Sequence, residues 1–229
     1  MNYLLNKTWL TDCLVGIKWI PDESIDFCLT DPPYNIKLKY GEYDDNLPPK
    51  LFWQRIEAIF SEIYRVLKPK AHLTFTCAQK QILKYIEILE PMGFTHRHIG
   101  VWHNPARKAG SWPGMWPYSW EPVMDFTKGK YRKLNNGNSV GYMDVWIERP
   151  PTKWKHPAQR PVEMWQELVE LCSNEEEIVL DPFHGSGTTG DMCIRTGRNF
   201  IGFEIDTCYH DMCEKRIKEA ALWMRESTI

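Results

Sequence analysis

Ile178-Val179-Leu180-Asp181-Pro182-Phe183-His184-Gly185-Ser186-Gly187-Thr188-Thr189-Gly190 is a short apolar run that breaks into a glycine-rich turn and resumes in a helical pattern. Gly185, Gly187 and Gly190 satisfy GxGxxG, and an acid, Glu204, stands nineteen residues after Gly185, just beyond the next β-rich run. Small residues at such a turn let backbone approach a ligand closely, and the free N–H groups at a helix start favour an anionic group. An acid at the end of the following strand is placed to accept hydrogen bonds from ribose hydroxyls. The pattern therefore predicts an adenosine-type cofactor, and taken alone it suits a dinucleotide fold equally well. The bland reading is a tight turn with a helix cap. A Walker A loop is disfavoured, because Thr188 stands after Gly187 where that loop needs Lys.

On either side of this stretch, β-rich runs recur at Lys7–Leu10, Ile25–Thr30, Ala71–Cys77, His98–His103, Pro122–Thr127, Glu177–Leu180 and Asn199–Phe203. Helical periodicity fills Leu51–Leu67, Gln79–Leu89, Val162–Cys172, Thr188–Arg195 and Cys208–Arg225. Strands alternating with helices predict an α/β domain with a largely parallel, doubly wound sheet. Residues 1–229 read as a single domain, consistent with one core in a chain 43% hydrophobic. The stretch from Asn104 to Trp154 is dense in Gly, Pro, Trp, Tyr and Asn without clear periodicity, and reads as an inserted region.

In an open parallel sheet, ligands bind beyond the carboxyl ends of the strands, so a second junction matters. Ile25-Asp26-Phe27-Cys28-Leu29-Thr30 runs into Asp31-Pro32-Pro33-Tyr34-Asn35. Two prolines fix the backbone and remove N–H donors, leaving the Asp31 carboxylate and the Pro32 carbonyl as a rigid pair of acceptors beside an aromatic ring. Such a platform suits a ring-bound NH₂. It would hold both hydrogens while the nitrogen rehybridises to attack a methyl sulfonium, with Tyr34 stacked on a base flipped from the duplex. An isolated Asp-Pro-Pro would instead read as a turn with a capping Asp.

Together the two junctions resemble the amino-type (N6-adenine or N4-cytosine) DNA methyltransferases, in the permuted beta group where the DPPY motif precedes the cofactor motif. DPPY stands at 31–34, DPFxGSGTT at 181–189, and an HPAxxP element at His156–Pro161, preceded by Lys155. Thr11-Asp12-Cys13-Leu14 also looks like the family's opening strand. The resemblance covers most of the chain and keeps the motif order. It implies the Rossmann-like methyltransferase fold, circularly permuted in motif order, with seven strands of which one is antiparallel. Its cofactor is S-adenosylmethionine. Asp31, Pro32, Pro33 and Tyr34 would be catalytic. Asp181, Phe183, Gly185, Ser186, Gly187 and Thr188 would line the methionine end, with Asp31 alongside. Glu204 would hold the ribose, Asp12 the adenine amine with Cys13 beside it, and His156 and Arg160 the carboxylate end. Asp rather than Ser at the first DPPY position points to N6 of adenine in double-stranded DNA, with N4 of cytosine or an RNA amine as alternatives. C5 chemistry is disfavoured independently, since it uses a thiolate presented after Pro and none of the seven cysteines follows one. An NAD-dependent oxidoreductase would leave Asp31–Tyr34 without a purpose, and intact Asp31 and Tyr34 argue against a silent binding module.

The net charge of −2 conceals an asymmetry. Thr95–Arg160 holds eleven Lys or Arg against four acids, a net +7 that leaves −9 for the remainder. This stretch is where the resemblance implies target recognition. Lys108, Lys128, Lys130, Arg132, Lys133, Lys153 and Lys155 are expected to meet phosphates. Asn135, Asn136, Asn138, Arg107 and Arg149 are candidates for base edges. Trp112, Trp116, Tyr118, Trp120, Trp146 and Trp154 suit either a small core or base stacking. The segment is short for its task, so a homodimer sharing recognition surface is among the expectations. No metal site or disulfide is expected from seven scattered cysteines without a CxxC pair. Nothing resembles a signal peptide or membrane span, which predicts no membrane partner and a cytoplasmic protein of a prokaryote or a phage in its host.

Overall fold

The computed structural model describes residues 1–37, 39–40, 43–105, 119–135, 144–149, 151 and 159–227. The elements run β1 (Lys7–Leu10), α1 (Cys13–Gly16), β2 (Ile25–Thr30), β3 (Lys39–Tyr40), β4 (Tyr43–Asp44), α2 (Pro49–Val66) and β5 (Leu67–Thr76). There follow α3 (Ile82–Leu89), β6 (Phe94–His103), β7 (Trp120–Lys128), β8 (Val145–Ile147), α4 (Val162–Cys172), β9 (Ile178–Asp181), α5 (Thr188–Arg195), β10 (Asn199–Glu204) and α6 (Thr207–Ser227).

Eight strands form one sheet in the order β1-β10-β9-β2-β5-β7-β6-β8, and β3 pairs with β4 in a separate ribbon. Every pairing in the large sheet is parallel except those of β7, which runs against both β5 and β6. Strands buried on both faces explain the near-continuous apolar runs of the sequence. In β2 the alternation is visible: Cys28 packs beneath α2 and α3 with Phe60, Ile63 and Tyr85, whereas Phe27 and Leu29 face Trp165, Leu168 and Val169 of α4 on the other side. The α2 stripe of Phe52, Ile56, Ile59, Phe60, Ile63 and Val66 is the helical face that the 3.6-residue period selects. Pro49 opens that helix in its first turn, where a missing N–H removes no helical bond.

The structure departs from the expected elements in four places. The sheet has eight strands, because Val145–Ile147 adds an edge strand parallel to β6 that is too short to show periodicity. Residues 104–154 are not all insertion, since β7 lies between β5 and β6 as part of the scaffold. Thr11–Leu14 is not a strand: β1 ends at Leu10, and the Asp12 carboxylate accepts the Leu14 N–H to cap α1. The strand expected from Ala71 begins earlier, at Leu67, through an irregular stretch in which Lys70 takes a positive φ of 71°. Among the described residues, no helix is long and apolar enough to cross a membrane.

Candidate active site

Parallel register brings Thr30, Thr76, Asp181 and Glu204 to the same edge of the sheet, the carboxyl ends of β2, β5, β9 and β10. A cleft of about 920 Å³, including space open to solvent, lies beyond them. Asp31 and Pro33 line it together with Asp12, Cys13, Asp181, Phe183, Gly185, Ser186, Thr188 and Glu204, although the two groups of motifs are some 150 residues apart. The loops are tied directly. Asp181 accepts from Thr30 Oγ1 at 2.7 Å, from Thr189 Oγ1 at 2.5 Å and from the Phe183 N–H at 3.1 Å. Burial nevertheless raises the Asp181 carboxyl to about 6.

Glu204 is held by backbone. Its carboxylate accepts the Gly185 and Asp206 N–H groups, each at 2.8 Å, which fixes its direction while burial pushes its pKa up to about 7. Gly185 and Gly187 take positive φ values of 52° and 78°, turning the chain from β9 into α5. Gly187 itself does not line the cleft, and a Cβ there would meet Cys213 of α6 at 3.2 Å. Asp12 spends one oxygen on its cap and the other on Arg55 at 2.6 Å. The Cys13 thiol is raised to about 12 by burial and the neighbouring Asp12 charge, so it is neutral in the cleft wall.

At the other end of the cleft, Asp31 belongs to a buried cluster. Its Oδ1 accepts from Thr76 Oγ1 and from Arg160 Nη2, both at 2.5 Å. Arg160 also donates to the Tyr34 hydroxyl at 2.7 Å and, through Nη1, to Glu121 Oε2 at 2.7 Å. That hydroxyl lies 3.0 Å from Asp31 Oδ1 and 2.9 Å from Glu121 Oε2. Loss of solvation raises the Asp31 carboxyl even though Arg160 and Thr76 pull it down. With both carboxylates ionised the cluster carries one net negative charge. Pro32 and Tyr34 are buried and do not line the cleft, and Gln81 Nε2 fixes the Tyr34 carbonyl at 2.8 Å. Arg160, expected at a cofactor carboxylate, lines the cleft and is engaged there with Asp31. Thr76, Glu121, Arg55, Trp165 and Tyr209 border this machinery without having been singled out in the sequence. A polar residue at the end of an apolar strand is the signal that would have found Thr76.

The basic residues are placed differently. Because β7 is antiparallel, it starts beside Thr76 and ends beside His72, at the opposite edge of the sheet from Asp31. Lys128 therefore meets Glu23 Oε1 at 3.2 Å and the Leu67 carbonyl at 2.9 Å. Arg132 pairs with Glu177, and Asn135 donates to the Ser173 carbonyl at 2.6 Å, beyond the end of α4. Lys130 and Lys133 are exposed along the same segment. The structure does not bring these five to the cleft; they lie along the far edge of the sheet. Arg149 is exposed after β8, Trp120 opens β7, and the Trp146 indole donates to Glu167 at 2.7 Å. Arg107, Lys108, Trp112, Trp116, Tyr118, Asn136, Asn138, Lys153, Trp154, Lys155 and His156 lie outside the described residues. Among the described residues, no group of three or more His, Cys, Asp or Glu could hold a metal ion.

Comparison with known proteins gives a consistent result. A family model described as DNA methylase matches residues 25–215. The chain is 30% identical to the type II methyltransferase M.HpaI of Haemophilus parainfluenzae, over 90% of this chain and 72% of that protein. It is 26% identical to the DNA adenine methyltransferase YhdJ of Escherichia coli K12, over 94% of this chain and 83% of that protein. Among solved structures, an M1.HpyAVI–SAM complex aligns with a TM-score of 0.75 at 24% identity, covering 92% of this chain and 98% of that one. The cytosine-N4-specific PvuII DNA methyltransferase aligns at 0.77 with 18% identity, covering 93% and 90%.

Proposed function

Because the chain belongs to the DNA methylase family, we propose that it transfers a methyl group from S-adenosylmethionine to N6 of an adenine turned out of double-stranded DNA. The observation that carries this reading is the single cleft in which Asp31 and the Gly185–Glu204 pair meet, joined through Thr30 and Asp181. Adenine is favoured by Asp at the first position of the motif and by the relative named as an adenine methyltransferase.

The cleft suits the cofactor. A carboxylate fixed by two backbone N–H groups stands where ribose hydroxyls need an acceptor, and Phe183, Phe203 and Ile205 give apolar walls for an adenine ring. The buried carboxyls Asp31 and Asp181 outweigh Arg160 in the wall of the cleft, an environment that favours a cationic sulfur. When bound, S-adenosylmethionine supplies a methyl group on such a sulfur.

Glu204 would hold the ribose and Asp12, with Cys13 beside it, the adenine edge. Asp181, Phe183, Gly185, Ser186 and Thr188 would shape the methionine end, while Gly187 acts through the turn alone. Asp31 would accept one hydrogen of the target amine and the Pro32 carbonyl the other, drawing the nitrogen lone pair out of conjugation. Asp31 would also accept the proton that the amine sheds on methylation. Tyr34 would stack on the base. A DNA substrate would put the activity beside the chromosome, in the cytoplasm of a bacterium or of a phage-infected host. A second copy of the chain would extend the recognition surface.

The test is incubation of the purified protein with unmethylated genomic DNA and tritiated S-adenosylmethionine, followed by nucleoside digestion and mass spectrometry. N6-methyladenine is the expected product. N4-methylcytosine would move the target base, and no incorporation despite cofactor binding would remove DNA as the substrate.

A further inference from the structure

We propose that Arg160 is a stand-in for the target base, and that Glu121 is the positioning residue that keeps hold of Arg160 when the base arrives. The inference rests on the adenine-methylation reading. A flipped adenine would present a flat ring to Tyr34 and an NH₂ to Asp31. Arg160 already makes both contacts. Its guanidinium, flat and NH₂-bearing, sits 5.7 Å from the Tyr34 ring centroid and 5.0 Å from that of Trp102, with Nη2 donating to Asp31 Oδ1. Thr76, Arg160 and the Tyr34 hydroxyl all donate to that oxygen, so a base amine that takes the guanidinium's position on Oδ1 displaces it.

Displacing a buried cation is costly if it leaves a charge unpaired. Glu121 removes that difficulty. It sits at the start of β7, its side chain 11% exposed, and binds Arg160 through Nη1, the nitrogen that does not touch Asp31. The guanidinium can therefore leave Asp31 while its ion pair with Glu121 persists. The closed arrangement is also incomplete: Arg160 Nε and Gln159 Oε1 are buried without hydrogen-bond partners. Such groups each cost free energy, so the closed state is poised to be exchanged for another.

The charged and titratable groups facing Asp31 are Arg160 from the segment before α4, Glu121 from β7 and Tyr34 from its own loop, with Cys77 after β5 and Asp181 at the end of β9. Arg160 favours ionised Asp31 and Glu121 opposes it. Removing each should therefore move the acidic limb of the methylation rate in opposite directions.

The experiment measures single-turnover methylation against pH for wild type, Glu121→Gln, Glu121→Asp and Arg160→Gln, on DNA carrying the site mapped with wild type. S-adenosylmethionine affinity is measured in parallel by calorimetry. Glu121→Gln should lose about tenfold in rate with cofactor affinity within about twofold. Its acidic limb should fall by about one pH unit, while that of Arg160→Gln should rise by a similar amount. Glu121→Asp, which keeps the charge, should restore the wild-type limb. Limbs that stay in place or move the same way overturn the proposal, as does wild-type rate in Glu121→Gln. Wild-type incorporation into adenine tests the underlying reading separately, so its failure is not confused with failure of the stand-in.

Discussion

The imidazole Nε2 of His184 accepts the backbone N–H of Gly190 at 3.0 Å. Since Nε2 is the acceptor, the ring proton sits on Nδ1 and is donated to Thr8 Oγ1 at 2.8 Å. One neutral side chain thus clasps the glycine turn to β1, and burial, assisted by Arg216, lowers its pKa to about 3.

This histidine should make the fold acid-labile. A folded pKa depressed below the ordinary value of 6.5 means that the unfolded chain binds the proton first, so stability present above pH 6.5 declines on acidification toward 3. The slope from this group approaches about 1.4 kcal/mol per pH unit. Chemical denaturation at pH 7.5, 6 and 5 should show the loss, and His184→Gln should start lower at pH 7.5 but decline less steeply. Equal slopes would contradict the assignment.

Cofactor affinity should also depend on pH, through Glu204. Ribose hydroxyls donate to the ionised carboxylate more strongly than to the acid, and the carboxyl titrates at about 7 in the ligand-free chain. Affinity should be full above pH 8 and fall by about tenfold near pH 6, where roughly a tenth of the group is ionised. Calorimetry across that range checks it, with Glu204→Gln weak and flat.

Asp31→Ala should reduce methyl transfer by about 10²- to 10⁴-fold, the range for a positioned acid–base group. Cofactor binding should stay measurable, because Glu204 and the glycine turn are untouched. Normal turnover would remove Asp31 from the chemistry.

Gly187→Val acts by a route that the motif alone does not show. The residue is at φ 78°, where a β-branched side chain is strained, and its Cβ would press on the Cys213 backbone. The expected result is a loss of about 1–3 kcal/mol in stability together with weaker cofactor binding, as α6 is pushed from the turn. Thermal unfolding with and without cofactor separates the two effects.

Cys208 is exposed and the other six cysteines are free but buried. Brief treatment of the folded protein with iodoacetamide, read by mass spectrometry, should add one label, at Cys208, at least about tenfold faster than any other. Bound cofactor should leave this rate unchanged. Rapid labelling of Cys13 would mean that its side of the cleft opens.

Much of this architecture is legible in sequence because burial on both faces of a parallel sheet writes itself into composition. Lys7–Leu10, Ile25–Thr30, Val162–Cys172 and Thr188–Arg195 begin and end where the periodicity places them. The strand Val145–Ile147 escapes because three residues carry no period. The position of the basic residues is hidden for another reason: the charge of a stretch says nothing about strand direction, and β7 carries Lys128 away from the cleft as surely as it carries Glu121 toward it. Arg160 is the hardest case. Its partners Glu121, Tyr34 and Asp31 lie 39, 126 and 129 residues away, so its company is a property of topology that no local pattern encodes.

The seam between β2 and β9 has a further meaning. Asp31 follows the strand on one side of it and the Gly185 turn follows the strand on the other, and Phe27 and Cys28 meet Val179 and Leu180 there across 152 residues of chain. The two halves of the chemistry are thus carried by separable lengths of polypeptide, and neither length alone completes the pocket. The pocket is therefore a product of the whole sheet: the pairing of β2 with β9 that holds the domain together is the same contact that assembles the site, so loosening that seam would cost fold and chemistry together.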